Sequence, residues 1–285
     1  KRGFDDFHKK IKTSAVETAA AKSHRASIET CLKNNFGLNR FTRIGSFGNG
    51  TNINGYSDVD YLACLPINVL TSTSSASLSK VRNALNIRFS STNVKVSTPA
   101  VVCPFGKRKS EDTEVVVADY IKEKGGFKIY EIADCNDGWM EVSPDAHNDY
   151  VSKIDKKHGG KVKPLIRFIK AWKFYRDVPI SSFYLEMRVA KYADDESIIV
   201  YDVDVKNILA MLDDNKLAAM QDPTVMSGFI SPCKTEAFKR DALSKLSTAV
   251  TRARNARIAE GNSDTQNAFY WWRLLYNDNF PTYYL

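Results

Sequence analysis

The chain has 285 residues, 43% of them hydrophobic, and 41 Lys and Arg against 33 Asp and Glu give it a net charge of +8. Such a composition excludes a globally disordered chain and fits one large domain or two lobes sharing a cleft. The positive balance suits polyanionic ligands such as nucleotides, although an ordinary surface excess of Lys and Arg would give the same number. The five cysteines are widely spaced and lack a C-x-x-C pair, which argues against a zinc site or a disulfide framework. With no span-length apolar run and no signal-peptide pattern, the expected setting is the reducing cytoplasm, with no membrane partner.

From Asp5 to Asn35 the chain carries no Gly or Pro, and Phe7, Ile11, Val16, Ala19, Ala20, Ile28 and Leu32 form an approximate helical stripe. One long helix is expected here, a brace across both lobes that ends near Gly37. Phe41 to Ile44 reads as a strand, and Tyr61 to Leu65 as a buried one. Between them runs Gly45-Ser46-Phe47-Gly48-Asn49-Gly50-Thr51-Asn52-Ile53-Asn54-Gly55-Tyr56-Ser57-Asp58-Val59-Asp60. Strand periodicity points Asp58 and Asp60 to one face. Two adjacent carboxylates repel each other and are costly to desolvate, and a divalent cation removes that cost. Paired hard oxygen ligands suit Mg²⁺. The glycines leave backbone N–H groups open to phosphate, and Ser46 and Thr51 add hydroxyls. These parts describe a site for a metal-bound nucleoside triphosphate. A second D-x-D, at Asp202-Val203-Asp204, lacks the preceding Gly-Ser turn and reads as structural.

Gly45-Ser46 followed by Ser57-Asp58-Val59-Asp60 resembles the signature of the DNA polymerase β-type nucleotidyltransferases. The longer form, with Thr51-Asn52-Ile53 and Gly55-Tyr56-Ser57, is similar to the bacterial enzymes related to cyclic GMP-AMP synthase, which make cyclic oligonucleotide signals in anti-phage defence. The resemblance implies an α+β fold with a polymerase β-like mixed sheet, a long N-terminal brace helix and a C-terminal helical lobe. The expected division is a nucleotidyltransferase core over residues 1–155 and a helical lobe over 156–285. It further implies two Mg²⁺ ions, with Mn²⁺ as an alternative, and ATP and GTP as the foremost substrates. The product would be read by a downstream effector; no stable nucleic-acid partner is expected.

Ser77 to Phe89 has a helical stripe, and Val94 to Phe105 a strand pattern made irregular by Pro99. The charged insert Gly106 to Asp112 reads as a hairpin loop. Thr113 to Tyr120 is strongly β-branched and reads as a strand. It offers Glu114 and Asp119, of opposite parity, as partners for the acid pair. The resembling family has acid-hydrophobic-hydrophobic-Pro-Ala in this segment. Laid on Glu114-Val115-Val116-Val117-Ala118, that register makes Glu114 the third acid, with Glu in place of the commoner Asp and Val117 in place of Pro. Phe127 to Ala133 reads as a further strand. Ser143 and Pro144 give two start signals for a helix that carries His147, a structural hydrogen-bonder rather than a base.

From Val162 the pattern is helical to the end, with an amphipathic segment from Lys163 to Tyr175 and a new helix near Ser182. In the resembling enzymes, a Lys on the first of these helices and a Ser at the start of the second hold the triphosphate, and an aromatic residue beside that Ser stacks on a base. By position these are Lys170, Ser182 and Phe183, which join Gly45 and Ser46 in nucleotide binding. Asp58, Asp60 and Glu114 are the catalytic and metal-binding set. Lys234 to Glu260 reads as a basic helix with a solvated face, and the aromatic C-terminus is expected to pack on the N-terminal lobe. Three other readings stand beside the cyclase. One is a polymerase β-type enzyme acting on RNA 3′ ends or on protein, another a decayed nucleotide- or RNA-binding module, and the third an interaction protein.

Overall fold

The structure is a computed structural model that describes residues 2–12, 15–105, 112–134 and 136–284; within the second helix, side chains are described from residue 22 onward. The chain forms two compact units, one of Thr13–Asp149 and one of Lys1–Lys12 with Tyr150–Leu285. Two helices, α1 (Arg2–Ile11) and α2 (Ala15–Phe36), replace the single expected brace. The first ends at Ile11, and Lys12 is already a bend. The first helix belongs to the helical unit and the second to the sheet unit. The side chains of Val16, Ala19 and Ala20, and the hairpin loop expected over 106–111, lie outside the described residues.

The sheet unit is built on β1 (Arg40–Arg43), β2 (Val59–Cys64), β3 (Lys95–Ser97), β4 (Ala100–Pro104), β5 (Asp112–Lys124), β6 (Phe127–Ala133) and β7 (Trp139–Val142). Their order is β1-β2-β5-β4-β3, with β6 pairing the far half of β5, and β7 pairing β6. Among the described residues only β2 and β5 run parallel, so both begin at the same end of the sheet. Pro99 does not mark an irregular strand start. It sits with Thr98 at the turn of the β3–β4 hairpin, where Ser97 pairs with Ala100. β7 was not expected; Asp134 holds the turn before it by accepting from the N–H groups of Asn136 (2.8 Å) and Gly138 (2.7 Å).

Strand alternation divides the core between the two faces of the sheet. Val59, Tyr61, Ala63, Val115 and Val117 pack with Ile28 and Leu32 of α2 and with Leu78, Val81 and Leu85 of α4 (Ser74–Arg88). Leu62, Cys64, Val116 and Ala118 form the other face with Tyr130 and Ile132. Asp60 and Glu114 share the parity of this second face, whereas Asp119 shares that of the first.

The helical unit contains α6 (Val162–Tyr175), α7 (Ser182–Asp195), α8 (Tyr201–Asp214), α9 (Glu236–Gly261) and α10 (Thr265–Leu275), and receives the end of α5 (Pro144–Lys157). It is not wholly helical: β8 (Met220–Gln221) and β9 (Phe229–Ile230) form a small hairpin. The aromatic C-terminus packs within this unit, on α1, rather than on the sheet unit. Phe4 meets Trp272 at 5.1 Å and Phe280 at 5.1 Å between ring centroids, and Phe7 meets Tyr276 at 4.5 Å. Each such pair adds about 0.5–1.5 kcal/mol beyond its area burial. The second D-x-D is structural, as expected. Asp204 accepts from Tyr192 Oη (2.7 Å) and the Val200 N–H (2.5 Å) at the start of α8, and Asp202 pairs with Arg257.

Candidate active site

The Gly-Ser stretch folds as a single short helix, α3 (Gly45–Asn49), tied to the acidic strand by a bond from the Ile44 N–H to the Asp60 carbonyl oxygen (2.9 Å). Gly45 has φ +59°, and a Cβ at this position would stand 2.8 Å from Asp60 Cγ. The Asp60 carboxyl therefore occupies the space that any other residue at 45 would fill, which is a physical reason for glycine there. Downstream, the Ser57 hydroxyl accepts from the Ile53 N–H (2.9 Å), and the Ser57 N–H donates to the Ile53 carbonyl oxygen (3.1 Å). Ile53 and Ser57 are both buried, so this closed turn delivers Asp58 to the start of β2 from a fixed point. The role of Ser57 was not foreseen; its place in the turn-forming Gly-Tyr-Ser run was the available signal.

In the parallel register Asp60 stands opposite Glu114, and Val59 opposite Thr113. Opposite residues of neighbouring strands share a face. Asp119 lies on the other face, opposite Glu131 of β6, with its carboxyl pushed up from the usual range by burial. The register therefore puts Glu114, and not Asp119, on the face that carries Asp60. It also adds an acid that sequence reasoning placed in a loop: Asp112 is the first residue of β5 and stands two before Glu114, as Asp58 stands two before Asp60. The signal was the repeated acid-x-acid spacing, hidden by the charged insert beside it.

Four carboxylates from the starts of two parallel strands are the donor chemistry of a hard divalent ion. As the side chains stand, no three His, Cys, Asp or Glu among the described residues gather closely enough to hold one. Since the Asp60 carboxyl lies over Gly45, loading asks for side-chain rotation on a backbone already in register. The residues present thus fit such an ion in type and backbone placement.

In the helical unit, Lys170 lies in α6. That side chain is only 1% exposed, and its Nζ lies 3.5 Å from Glu186 Oε2 on α7. The lysine that reaches Ser182 is Lys173, one turn further along α6, with Nζ 2.6 Å from Ser182 Oγ. Ser181 caps α7 by accepting from the Tyr184 N–H (3.3 Å), which leaves the Ser182 hydroxyl to Lys173. Phe183 is 40% exposed although it is a large apolar residue. His147 is buried early in α5. Ser143 precedes that helix as expected, but its hydroxyl donates to the Lys128 carbonyl oxygen (2.9 Å). The helix start is instead held by Asp145, which receives two bonds from Arg40 at 2.7 and 3.0 Å.

The sheet and its helical unit have the polymerase β-like nucleotidyltransferase fold, which covers 98% of both chains in the structure of Escherichia coli MS115-1 CdnC with ATP, at TM-score 0.77 and 17% identity. A Vibrio cholerae DncV cyclic AMP-GMP synthase bound to a linear intermediate matches 85% of this chain and 70% of its own, at TM-score 0.66 and 16% identity. Residues 1–154 match the Second Messenger Oligonucleotide or Dinucleotide Synthetase domain, and the chain belongs to that family. A cyclic AMP-AMP-AMP synthase of Acinetobacter sp. is 26% identical over 190 residues, 61% of this chain. The matched stretch spans 52% of that relative's length. No helix among the described residues is long and apolar enough to cross a membrane.

Proposed function

We propose that this protein is a metal-dependent nucleotidyltransferase that joins nucleoside triphosphates into a cyclic di- or oligonucleotide, a second messenger of anti-phage defence read by a separate effector in the cytoplasm. The observation that carries this reading is the parallel register that sets Asp60 opposite Glu114, with Asp58 two residues before Asp60. Family membership and the named activities of the similar proteins support it. ATP and GTP are the proposed substrates.

Asp58 and Asp60 would hold two divalent ions, Mg²⁺ in the first instance, and Glu114 would share the one beside the attacking ribose hydroxyl. Such ions, when bound, lower the pKa of that hydroxyl and neutralise charge on the departing pyrophosphate. Glu114 accepts the hydroxyl proton. The hydroxyl oxygen forms a bond to the α-phosphorus as the bond from that phosphorus to the pyrophosphate oxygen breaks. Gly45 and Ser46 bind phosphate through the backbone N–H and the hydroxyl. Lys170, with Lys173 beside Ser182, supplies positive charge to the β- and γ-phosphates next to the Ser182 hydroxyl. Phe183 stacks on a base. A repeat of the step on the linear product closes the ring.

The test is incubation of the purified protein with all four nucleoside triphosphates and Mg²⁺, followed by mass spectrometry. Products without free termini are expected. Linear RNA extension or nucleotidylated protein would show another enzyme of the same chemistry, and nucleotide binding without turnover a decayed module.

A further inference from the structure

The starts of β2 and β5 share one pattern, Asp58-Val59-Asp60 and Asp112-Thr113-Glu114. Val59 pairs with Thr113 and Asp60 with Glu114, so the ladder continued by one residue brings Asp58 level with Asp112. Val59 and Thr113 are each 1% exposed, and strand alternation turns the acids on either side of them to the opposite face. Asp112 is therefore on the face of Asp60 and Glu114, and it is half-buried there. On its other flank β5 pairs with β4, where Pro104 stands opposite Asp112 and Val102 opposite Glu114. Neither side chain brings a positive charge or a donor to that flank. Along the ladder, the charged neighbours of Asp112 on this face are thus other acids. Such an arrangement repels itself and is relieved by a cation. The three acids assigned above leave Asp112 without a part.

We infer that Asp112 is a positioning residue for the divalent ion that Glu114 shares: its carboxylate, on the same face and two residues before Glu114, adds negative charge on the β5 side of the site and strengthens the hold on that ion. The inference rests on the two-ion reading of Asp58, Asp60 and Glu114. It extends that reading to the one acid of the pattern that has no role in it. The affinity of oxygen-ligand sites for hard cations is tuned by the count of charged ligands. Carboxylates that support a ligand from outside the inner set matter nearly as much, and losing one typically costs 10–100-fold in metal affinity.

The experiment titrates the full chain with Mn²⁺ in the presence of a non-hydrolysable ATP analogue and follows the free ion by electron paramagnetic resonance, so that no turnover is needed. Glu114→Gln tests the underlying reading and should lose one of the two bound ions. Asp112→Asn should weaken that same ion at least ~10-fold and leave the other within ~2-fold of wild type. Asp112→Glu, which keeps the charge, should stay within ~3-fold for both. In pyrophosphate release, Asp112→Asn should raise the Mg²⁺ concentration for half-maximal rate ~10-fold. At saturating Mg²⁺ its kcat should return to within ~3-fold of wild type, because Glu114 is intact. If Asp112→Asn fails to fold, Asp112→Ser replaces it with the same expectations.

Wild-type affinity for both ions in folded Asp112→Asn would overturn the inference and leave Asp112 an ordinary strand-start residue. Equal weakening of the two ions would also overturn it, since the carboxylate would then act as general surface charge. So would a kcat that stays far below wild type at saturating Mg²⁺, which would place Asp112 in the reaction itself. Two ions bound at wild-type affinity in Glu114→Gln would overturn the reading beneath, and the inference with it. Loss of an ion in Glu114→Gln with no change in Asp112→Asn separates the two failures.

Discussion

Asp60 and Glu114 stand opposite each other on two neighbouring strands that run parallel and begin at one end of the sheet. Among the described residues every other strand pair in that sheet is antiparallel. A parallel pair requires a long crossover, here the whole of residues 65–111, and that crossover brings two acid-x-acid segments far apart in sequence to the same end. The two acidic segments are neighbours because of register, not because of sequence proximity.

The Asp60 carboxyl occupies the space over Gly45, and this makes residue 45 sensitive to the smallest substitution. Gly45→Ala adds a Cβ against Asp60 at a positive φ. The backbone term alone costs about 1–2 kcal/mol, and the displaced carboxylate should remove most of the pyrophosphate release. Thermal unfolding and turnover measured together should show a modest loss of stability with a large loss of rate.

The face assignment distinguishes two acids on one strand. Glu114→Gln should abolish turnover, while Asp119→Asn should leave it unchanged. Asp119 is pushed up by burial, so its folded form keeps a proton after the unfolded chain has released one. Stability contributed at low pH is therefore lost as pH rises through the folded value. Asp119→Asn should match wild type in acid and gain on it progressively toward neutral pH, as read by denaturant unfolding.

In the helical unit, His8 Nε2 accepts from Arg167 at 3.0 Å, and burial followed by the Arg167 charge lowers its pKa to about 4. A folded value below the unfolded one means stability is complete above the ordinary histidine range and is lost as pH falls toward 4. Unfolding measured at pH 7 and pH 5 should show a drop in wild type that His8→Gln lacks.

Phe183 is exposed at 40% beside Ser182, so its ring contributes little to the core. Stacking on a base is worth about 1–3 kcal/mol. Phe183→Ala should raise KM about 5- to 150-fold with an unchanged melting temperature, and Phe183→Trp should restore binding.

The acid pair, the strand that carries it and the opposite parity of Glu114 and Asp119 were legible in the sequence, because strand parity is fixed and the β-branched run Val115 to Val117 is unmistakable; which of the two shares the face of Asp60 depends on cross-strand register, which the residues alone left open. That Lys173 reaches Ser182 was not foreseen, since residues three apart share a helix face and a sequence does not say which of them meets the neighbouring helix. The break between α1 and α2 was hidden in a run without Gly or Pro. The two-residue strands β8 and β9 are too short to show any period. The aromatic C-terminus announced packing, but its partner, α1, comes from the opposite end of the chain, a pairing that no local pattern encodes.

Mg²⁺-dependent pyrophosphate release from ATP and GTP by the Asp58→Asn/Asp60→Asn variant, with circular dichroism matched to wild type, bears most directly on the acid edge as the catalytic centre. The expected result is release at background level from a fully folded protein. Wild-type release from that variant would contradict the assignment.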